Sequence, residues 1–372
     1  MTSIRSRCAI PAFLLGTFLL VFAVIGGVIP AHADQSQSFV WVADTRGDAN
    51  NDLTNWTVLT PIVDSILALT PAPKVVIFGG DAAYRGGTAN LNDFKALFTN
   101  RLDAAGIPSA YAVGNHELYT MNHAPHLDDQ ALSRQIEFQG LFNGSWTQNG
   151  PGASYNKLAF SFNFGNSQFI IADSYLAIAD GTAPVYGIDA TQQTWMQGLL
   201  ANSKAAHSFV FTHIPAYSPT DPTANENMKN TWQTITTSGT ATNTNASILF
   251  AGHEHLYYRT LHDGTYEVLA GSGGAPLGCE SGESCDLHPV YPSDVYALKY
   301  NYAVTTVNGR EIKVSVFDQA NSSIDIFNFF DNSGVSNTTI NNTIAINPDP
   351  ARIISLQASW PPATIRSATA QT

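Results

Sequence analysis

Charge is scarce in this chain. Only 12% of its 372 residues are Asp, Glu, Lys or Arg, where an ordinary soluble protein carries about a quarter. Basic residues are the scarcest: 17 Lys and Arg stand against 29 Asp and Glu, a formal net charge of −12. That balance leaves no broad cationic face and argues against general nucleic-acid binding. Disorder does not follow from the shortage, because apolar residues still make up 44% of the chain, ample for a large core. Cysteine is nearly missing as well. Three residues are too few for a disulfide scaffold or a thiolate zinc module. An acidic chain can still hold phosphate if a local positive charge is supplied, and a metal ion is the obvious source.

Past residue 33 no segment is both long and apolar enough to span a membrane. Before it, Arg5 and Arg7 precede an apolar run from Ala12 to Ile29, and Ala31-His32-Ala33 offers a small-x-small cleavage site. Residues 1–33 therefore read as a signal peptide cleaved after Ala33. The expectation is a secreted or periplasmic protein with no stable membrane span after cleavage; an uncleaved anchor is the alternative. Cys8 leaves with the signal. Cys279 and Cys285, five residues apart within Glu, Ser and Gly, are then placed to close a small surface disulfide, with two free thiols as the other reading.

Residues 34–330 read as one α/β domain, and 331–372 as a polar C-terminal extension rich in Asn, Thr, Ser and Pro. Apolar strand-like runs at Phe39–Ala43, Val75–Phe78, Tyr111–Val113, Phe169–Ala172, Phe209–Phe211 and Ile248–Phe250 alternate with helix-like spacing at Trp56–Leu69, Asn92–Ala105 and Thr191–Leu200. From Tyr257 onward the pattern predicts consecutive antiparallel strands: Glu267–Ala270, Tyr302–Val307, Ile312–Phe317 and Ser323–Phe329. Asn308-Gly309 is a strong hairpin turn between two of them.

Polar residues recur where the strand runs end. Five runs are followed at once by Gly, Asp, Asn or His, which collects Asp44, Asp81, Asn115, His116, His213, His253 and His255. In open α/β sheets the ligand crevice lies outside those carboxyl ends. Carboxylate, amide oxygen and imidazole without thiolate suit iron, zinc or manganese. The set is too large for one ion and suits two sharing a carboxylate, about 3.5–4 Å apart, as in phosphoryl displacement.

The ordered blocks Asp44, Gly80-Asp81-Ala82-Ala83-Tyr84, Gly114-Asn115-His116-Glu117, Val210-Phe211-Thr212-His213 and Gly252-His253-Glu254-His255 resemble the calcineurin-like metallophosphoesterases, and among them most of all the purple acid phosphatase branch. The resemblance implies an αββα sandwich: four layers, with two mixed β-sheets flanked by helices. It implies that Asp81 bridges two metals, that Asp44 and His255 bind the first, and that Asn115, His213 and His253 bind the second. His116 would donate to the leaving oxygen. Tyr257 and Arg259 match the block's Gly-His-x-His-x-Tyr-x-Arg extension, with a structural role. One position departs from the wider superfamily: Arg46 stands two residues after the first Asp, where most members carry His. Arg cannot be a conventional ligand. The purple acid phosphatase pattern also lacks that His and has a tyrosine three residues after the bridging Asp, the place of Tyr84. As a phenolate ligand Tyr84 biases the first site towards Fe(III), paired with Fe(II), Zn or Mn; the alternative is that it merely packs. Arg46 is then a phosphate clamp or a surface ion pair.

His123 and His126 lie in a loop after the third block, placed either to overhang the site and contact the substrate's leaving group or simply to face solvent. Asp173 is expected to be a structural turn or a supporting acid, and Glu117 to orient His116 or a ligand. His207, His262 and His288 sit outside any motif. The function implied is an exported acid phosphatase-like enzyme, hydrolysing phosphomonoesters by attack of metal-bound hydroxide on phosphorus. A phosphodiesterase acting on nucleotides or lipid head groups with the same metals, and a catalytically silent binding module on the same scaffold, are the alternatives.

Overall fold

The computed structural model describes residues 36–48, 54–118, 131–146, 149–176, 187–219, 226–237, 246–262, 264–278 and 293–330. The signal region, His123, His126, Cys279, Cys285, His288 and the extension from 331 lie outside them. Thirteen strands are described: β1 (Gln37–Val42), β2 (Val75–Phe78), β3 (Ser109–Tyr111), β4 (Phe160–Phe164), β5 (Ser167–Ile171), β6 (His207–Phe211), β7 (Ala246–Ala251), β8 (Tyr257–His262), β9 (Thr265–Ala270), β10 (Val295–Ala297), β11 (Tyr302–Asn308), β12 (Glu311–Phe317) and β13 (Ser323–Phe330). The helices are α1 (Trp56–Leu67), α2 (Thr88–Leu97), α3 (Thr99–Ala104), α4 (Asn115–Leu118), α5 (Ala131–Leu141), α6 (Ala190–Asn202) and α7 (Glu226–Thr237). None among the described residues is long and apolar enough to cross a membrane.

The strands form two mixed sheets, one in the order β13-β12-β11-β1-β2-β3 and one in the order β10-β8-β9-β7-β6-β5-β4. In the first, β1, β2 and β3 run parallel; in the second, β5, β6, β7 and β9 do. Side chains alternate across each strand. Phe39 and Trp41 of β1 face the other sheet, with the Phe39 ring 4.8 Å from Phe209 and the Trp41 ring 5.5 Å from Phe211. Val40 and Val42 turn outward into a cluster with Val58, Leu59, Ile62 and Val63 of α1. Helices thus flank two face-to-face sheets, the expected sandwich.

Polar clasps join the sheets where their rims meet. Trp41 Nε1 donates to Ala251 O at 3.2 Å. Tyr257 Oη and Arg259 Nε, on β8, both donate to Asp325 Oδ2 on β13, at 2.7 and 2.8 Å, which makes their role structural.

Two expectations change. The helical run 92–105 is two helices, separated at Phe98, whose ring stacks 5.1 Å from Phe94. The strands after Tyr257 are not one antiparallel series: β9 pairs antiparallel with β8 but parallel with β7, in the second sheet, whereas β11, β12 and β13 belong to the first. Asn143 is buried, and its side-chain amide donates to Tyr111 O and Lys157 O, tying β3 to the segment before β4.

Candidate metal centre

Five strands of the two sheets end at one rim, and each hands the chain to a polar residue. β1 leads to Asp44, β2 to Asp81, β3 to Asn115 and His116 at the start of α4, β6 to His213, and β7 to His253 and His255. The turns are tight enough to need unusual backbone. Asp44, Asp81 and His253 have φ of 55°, 60° and 75°, a left-handed conformation that costs a non-glycine residue about 1–2 kcal/mol. Adjacent loops hold them there: Asp44 N donates to Gly80 O, and Thr45 N and Arg46 N to Asp81 O, all at 3.0 Å. Glycine is required beside them. A Cβ on Gly114 would lie 2.2 Å from Asp81 Oδ1, and one on Gly252 would lie 2.5 Å from Asp44 Oδ2.

Asp44, Asp81 and His213 bring ligand atoms within 4.8 Å of one another, all buried. His213 Nδ1 donates to Gly79 O at 2.7 Å, so its Nε2 carries a lone pair. That lone pair faces Asn115 Oδ1 at 3.0 Å, Asp81 Oδ1 at 3.4 Å and Asp44 Oδ1 at 3.9 Å. His253 Nδ1 lies 3.2 Å from the same Asn115 oxygen. Acceptors converging on acceptors repel unless a cation lies among them, and the spacing suits ligand bonds of about 2.0–2.2 Å. Electrostatics agree: burial, and next the Asp81 charge, push Asp44 well above the usual carboxylate range, against the opposing pull of Arg46, and two buried carboxylates this close favour a further cation between them. The residues fit a metal.

His255 Nδ1 likewise donates to a carbonyl, Pro276 O, at 2.8 Å. Its Nε2 points to Asp44 Oδ1 at 3.8 Å and meets Arg46 Nη2 at 3.4 Å. Arg46 is 4% exposed, which rules out a surface ion pair. Its Nε is 3.6 Å from Asp81 Oδ2. His116 donates Nδ1–H to Tyr84 O, and its Nε2 faces Asp81 Oδ2 at 3.8 Å. Burial first, then the Arg46 charge, hold both His116 and His255 well below the usual imidazole range. The Tyr84 ring sits 5.1 Å from the His116 ring, with Arg46 Cζ 5.3 Å from its centroid.

The supporting residues act on the backbone around these side chains. Glu117 accepts from the backbone N–H groups of Asp81, Ala82 and Gly114 at 2.7–2.8 Å, so it fixes the Asp81 turn. Asp173 is the structural acid expected; it accepts from Tyr175 N at 2.9 Å, and the Tyr175 ring lies 5.8 Å from His213. His207 bonds Gly309 O, and His262 stacks on Tyr217; neither joins the centre. Two contributors escaped sequence reading. Glu267 accepts from Ala216 N and Tyr217 N at 2.8 Å, fixing the loop after His213. The segment Gly271–Ala275 backs the β1 turn through Gly273 N to Ala43 O and Ala275 N to Asp44 O. A lone acid in the apolar run Tyr266-Glu267-Val268-Leu269 was the only sequence signal for the first.

Among solved structures the fold is similar to a dimetal phosphatase from Danio rerio, at 14% identity over 79% of this chain and 99% of that one, with a TM-score of 0.53. PhoD is similar at 14% identity over 82% and 73%, TM-score 0.54. GAP50, the anchor in the inner membrane complex of Plasmodium, is similar at 12% over 88% and 95%, TM-score 0.53. At such identities the likeness is one of fold. No curated protein matches the chain. The calcineurin-like phosphoesterase family matches residues 39–257, more than half of the sequence and all five blocks at the rim, and the chain belongs to that family.

Proposed function

We propose that the chain is an exported, acid phosphatase-like phosphomonoesterase with two cation positions at the shared rim. The observation that carries the metal dependence is the His213 Nε2 lone pair set among three oxygens. Export rests on the Arg5, Arg7 and Ala31-His32-Ala33 pattern, and the monoester assignment on the likeness of the blocks to purple acid phosphatases. Tyr84, three residues after Asp81, supports Fe(III) with Fe(II), Zn or Mn.

Cations bound at such a centre lower the pKa of water and neutralise the phosphate. The chain's own residues do the rest. Asp81 would be shared by the two cations, with Asn115, His213 and His253 holding one and Asp44 and His255 the other. His116 is fixed through Nδ1, which leaves Nε2 turned to the site. Burial and then the Arg46 charge disfavour its protonated form; a phosphate dianion beside it would supply the negative charge that favours a proton on Nε2, from which it would donate to the departing oxygen.

His116→Ala should therefore retain the metals, measured by elemental analysis, and lose about 10²–10⁴-fold in turnover of an aryl phosphate. Asp81→Asn should deplete both positions and lose about 10³-fold or more, several kcal/mol of charge stabilisation. A fully loaded, active Asp81→Asn protein refutes the assignment. Faster turnover of a bis-aryl diester than of the monoester would transfer the reading to the phosphodiesterases. A visible phenolate-to-iron band lost in Tyr84→Phe checks the metal pair.

A further inference from the structure

We propose that the two cation positions are unequal because Arg46 already holds the first: its guanidinium is the resident positive charge among Asp44, Asp81 and His255, and a metal ion enters there only by displacing it. This rests on the two-cation reading and adds an order of loading to it.

The two histidines show the difference. His213 and His255 are prepared in the same way, each with Nδ1–H given to a backbone carbonyl and the Nε2 lone pair turned inward. At His213 that lone pair faces oxygens at 3.0, 3.4 and 3.9 Å. At His255 it meets the Arg46 Nη2 donor at 3.4 Å. The same guanidinium approaches Asp81 Oδ2 at 3.6 Å through Nε and donates from Nη1 to Gly47 O at 3.2 Å. The Tyr84 ring lies against it, 5.3 Å from centroid to Cζ, within range of a cation–π contact. A carboxylate, an imidazole lone pair, a carbonyl and a ring thus make a cradle for a guanidinium, itself almost wholly buried.

Arg keeps its charge at every accessible pH. It cannot yield the first position by losing a proton; it must move. Its backbone is not free to move with it, because Arg46 N donates to Asp81 O and Arg46 pairs with Thr54 across an isolated bridge. Only side-chain rotation clears His255 Nε2 and Asp81 Oδ2. In the position built from Asn115, His213 and His253 the His213 Nε2 lone pair faces three oxygens rather than a guanidinium donor, an arrangement a cation stabilises directly, so it fills first.

The test is a Mn²⁺ titration of the chelator-treated full chain by calorimetry, with electron paramagnetic resonance to distinguish isolated from paired ions. The wild type should take one tight equivalent and a second at least about 10-fold weaker. His253→Ala should remove the tight equivalent, and His255→Ala only the weak one. Arg46→Gln should tighten the second by about 10-fold or more and give the spectrum of a coupled pair. Two equal equivalents in the wild type, or loss of the tight one in His255→Ala, overturns the proposal, as does an unchanged second equivalent in folded Arg46→Gln. Should Arg46→Gln not fold, the two histidine variants decide. No Mn²⁺ bound by any of these proteins would refute the metal centre itself.

Discussion

Asp44, Asp81 and Asn115 all come from the six-stranded sheet, whereas His213, His253 and His255 all come from the seven-stranded one. One sheet supplies oxygen and the other nitrogen. Neither alone offers the mixed donor set that iron, zinc or manganese prefers, so the centre depends on how the sheets are held against each other. Behind each sheet's candidate ligands a buried glutamate accepts backbone N–H groups, one on α4 after β3 and one on β9. Glu117 does this at the Asp81 turn, Glu267 at the loop after His213. The division teaches that the inter-sheet core belongs to the site as much as the ligands do.

The largest effect should come from loosening that core. Phe39 is 2% exposed, and its ring lies within 6 Å of Phe169, Phe209, Phe211 and Phe250, all on the other sheet. Phe39→Ala should cost about 3–5 kcal/mol in urea denaturation. Metal affinity of the folded fraction should fall as well. Normal metal affinity in a destabilised Phe39→Ala protein would break the comparison, because the rims would then keep their register without the core.

Glu117→Gln tests the oxygen side at smaller scale. The carboxylate serves three N–H groups with two oxygens, and an amide has one acceptor. Leaving buried donors unpaired should cost about 1–3 kcal/mol, and disturbing the Asp81 turn about 10–100-fold in metal affinity. An isosteric variant with unaltered metal binding would reduce Glu117 to a fold residue.

Much of the oxygen and nitrogen inventory was legible because the signal is local. A candidate ligand at a strand's carboxyl end is read within four or five residues, and Asp44, Asp81, Asn115, His213, His253 and His255 all follow the strands that pattern names. Partnerships across the chain were not legible. β9 looks like a hairpin strand from its neighbours, yet its second partner, β7, is parallel and is chosen by sheet order. Tyr257 and Arg259 announce a motif, but Asp325, which receives both, is more than 60 residues away. Arg46 stood out by its type and place; the cradle around it comes from two segments far apart in the chain, Asp81 and Tyr84 in one and His255 in the other. Glu267 was hidden for the same reason, since nothing beside it in sequence says that it reaches Ala216 and Tyr217.

The nitrogen side gives the smallest and most specific prediction, because Glu267 lies behind the histidines rather than among them. Burial, outweighing its two backbone hydrogen bonds, pushes its carboxyl from 4.5 up to about 8. The folded chain then binds a proton that the unfolded chain has already lost between those values. Linkage gives the sign: stability that is fully present below pH 4.5 is lost as pH rises towards and through 8, by at most about 1.4 kcal/mol per pH unit for one proton. Glu267→Gln cannot titrate, so its stability should lack this component and its denaturation midpoint should fall less steeply between pH 5 and 8 than that of the wild type. Glu117 is raised less, to about 7, by burial and by Asp81, and a bound cation would pull it back down, so its contribution should vanish on metal loading. A pH slope that survives loading and disappears in Glu267→Gln assigns the two glutamates to their separate sheets; a slope abolished by metal alone would place both under the control of the centre.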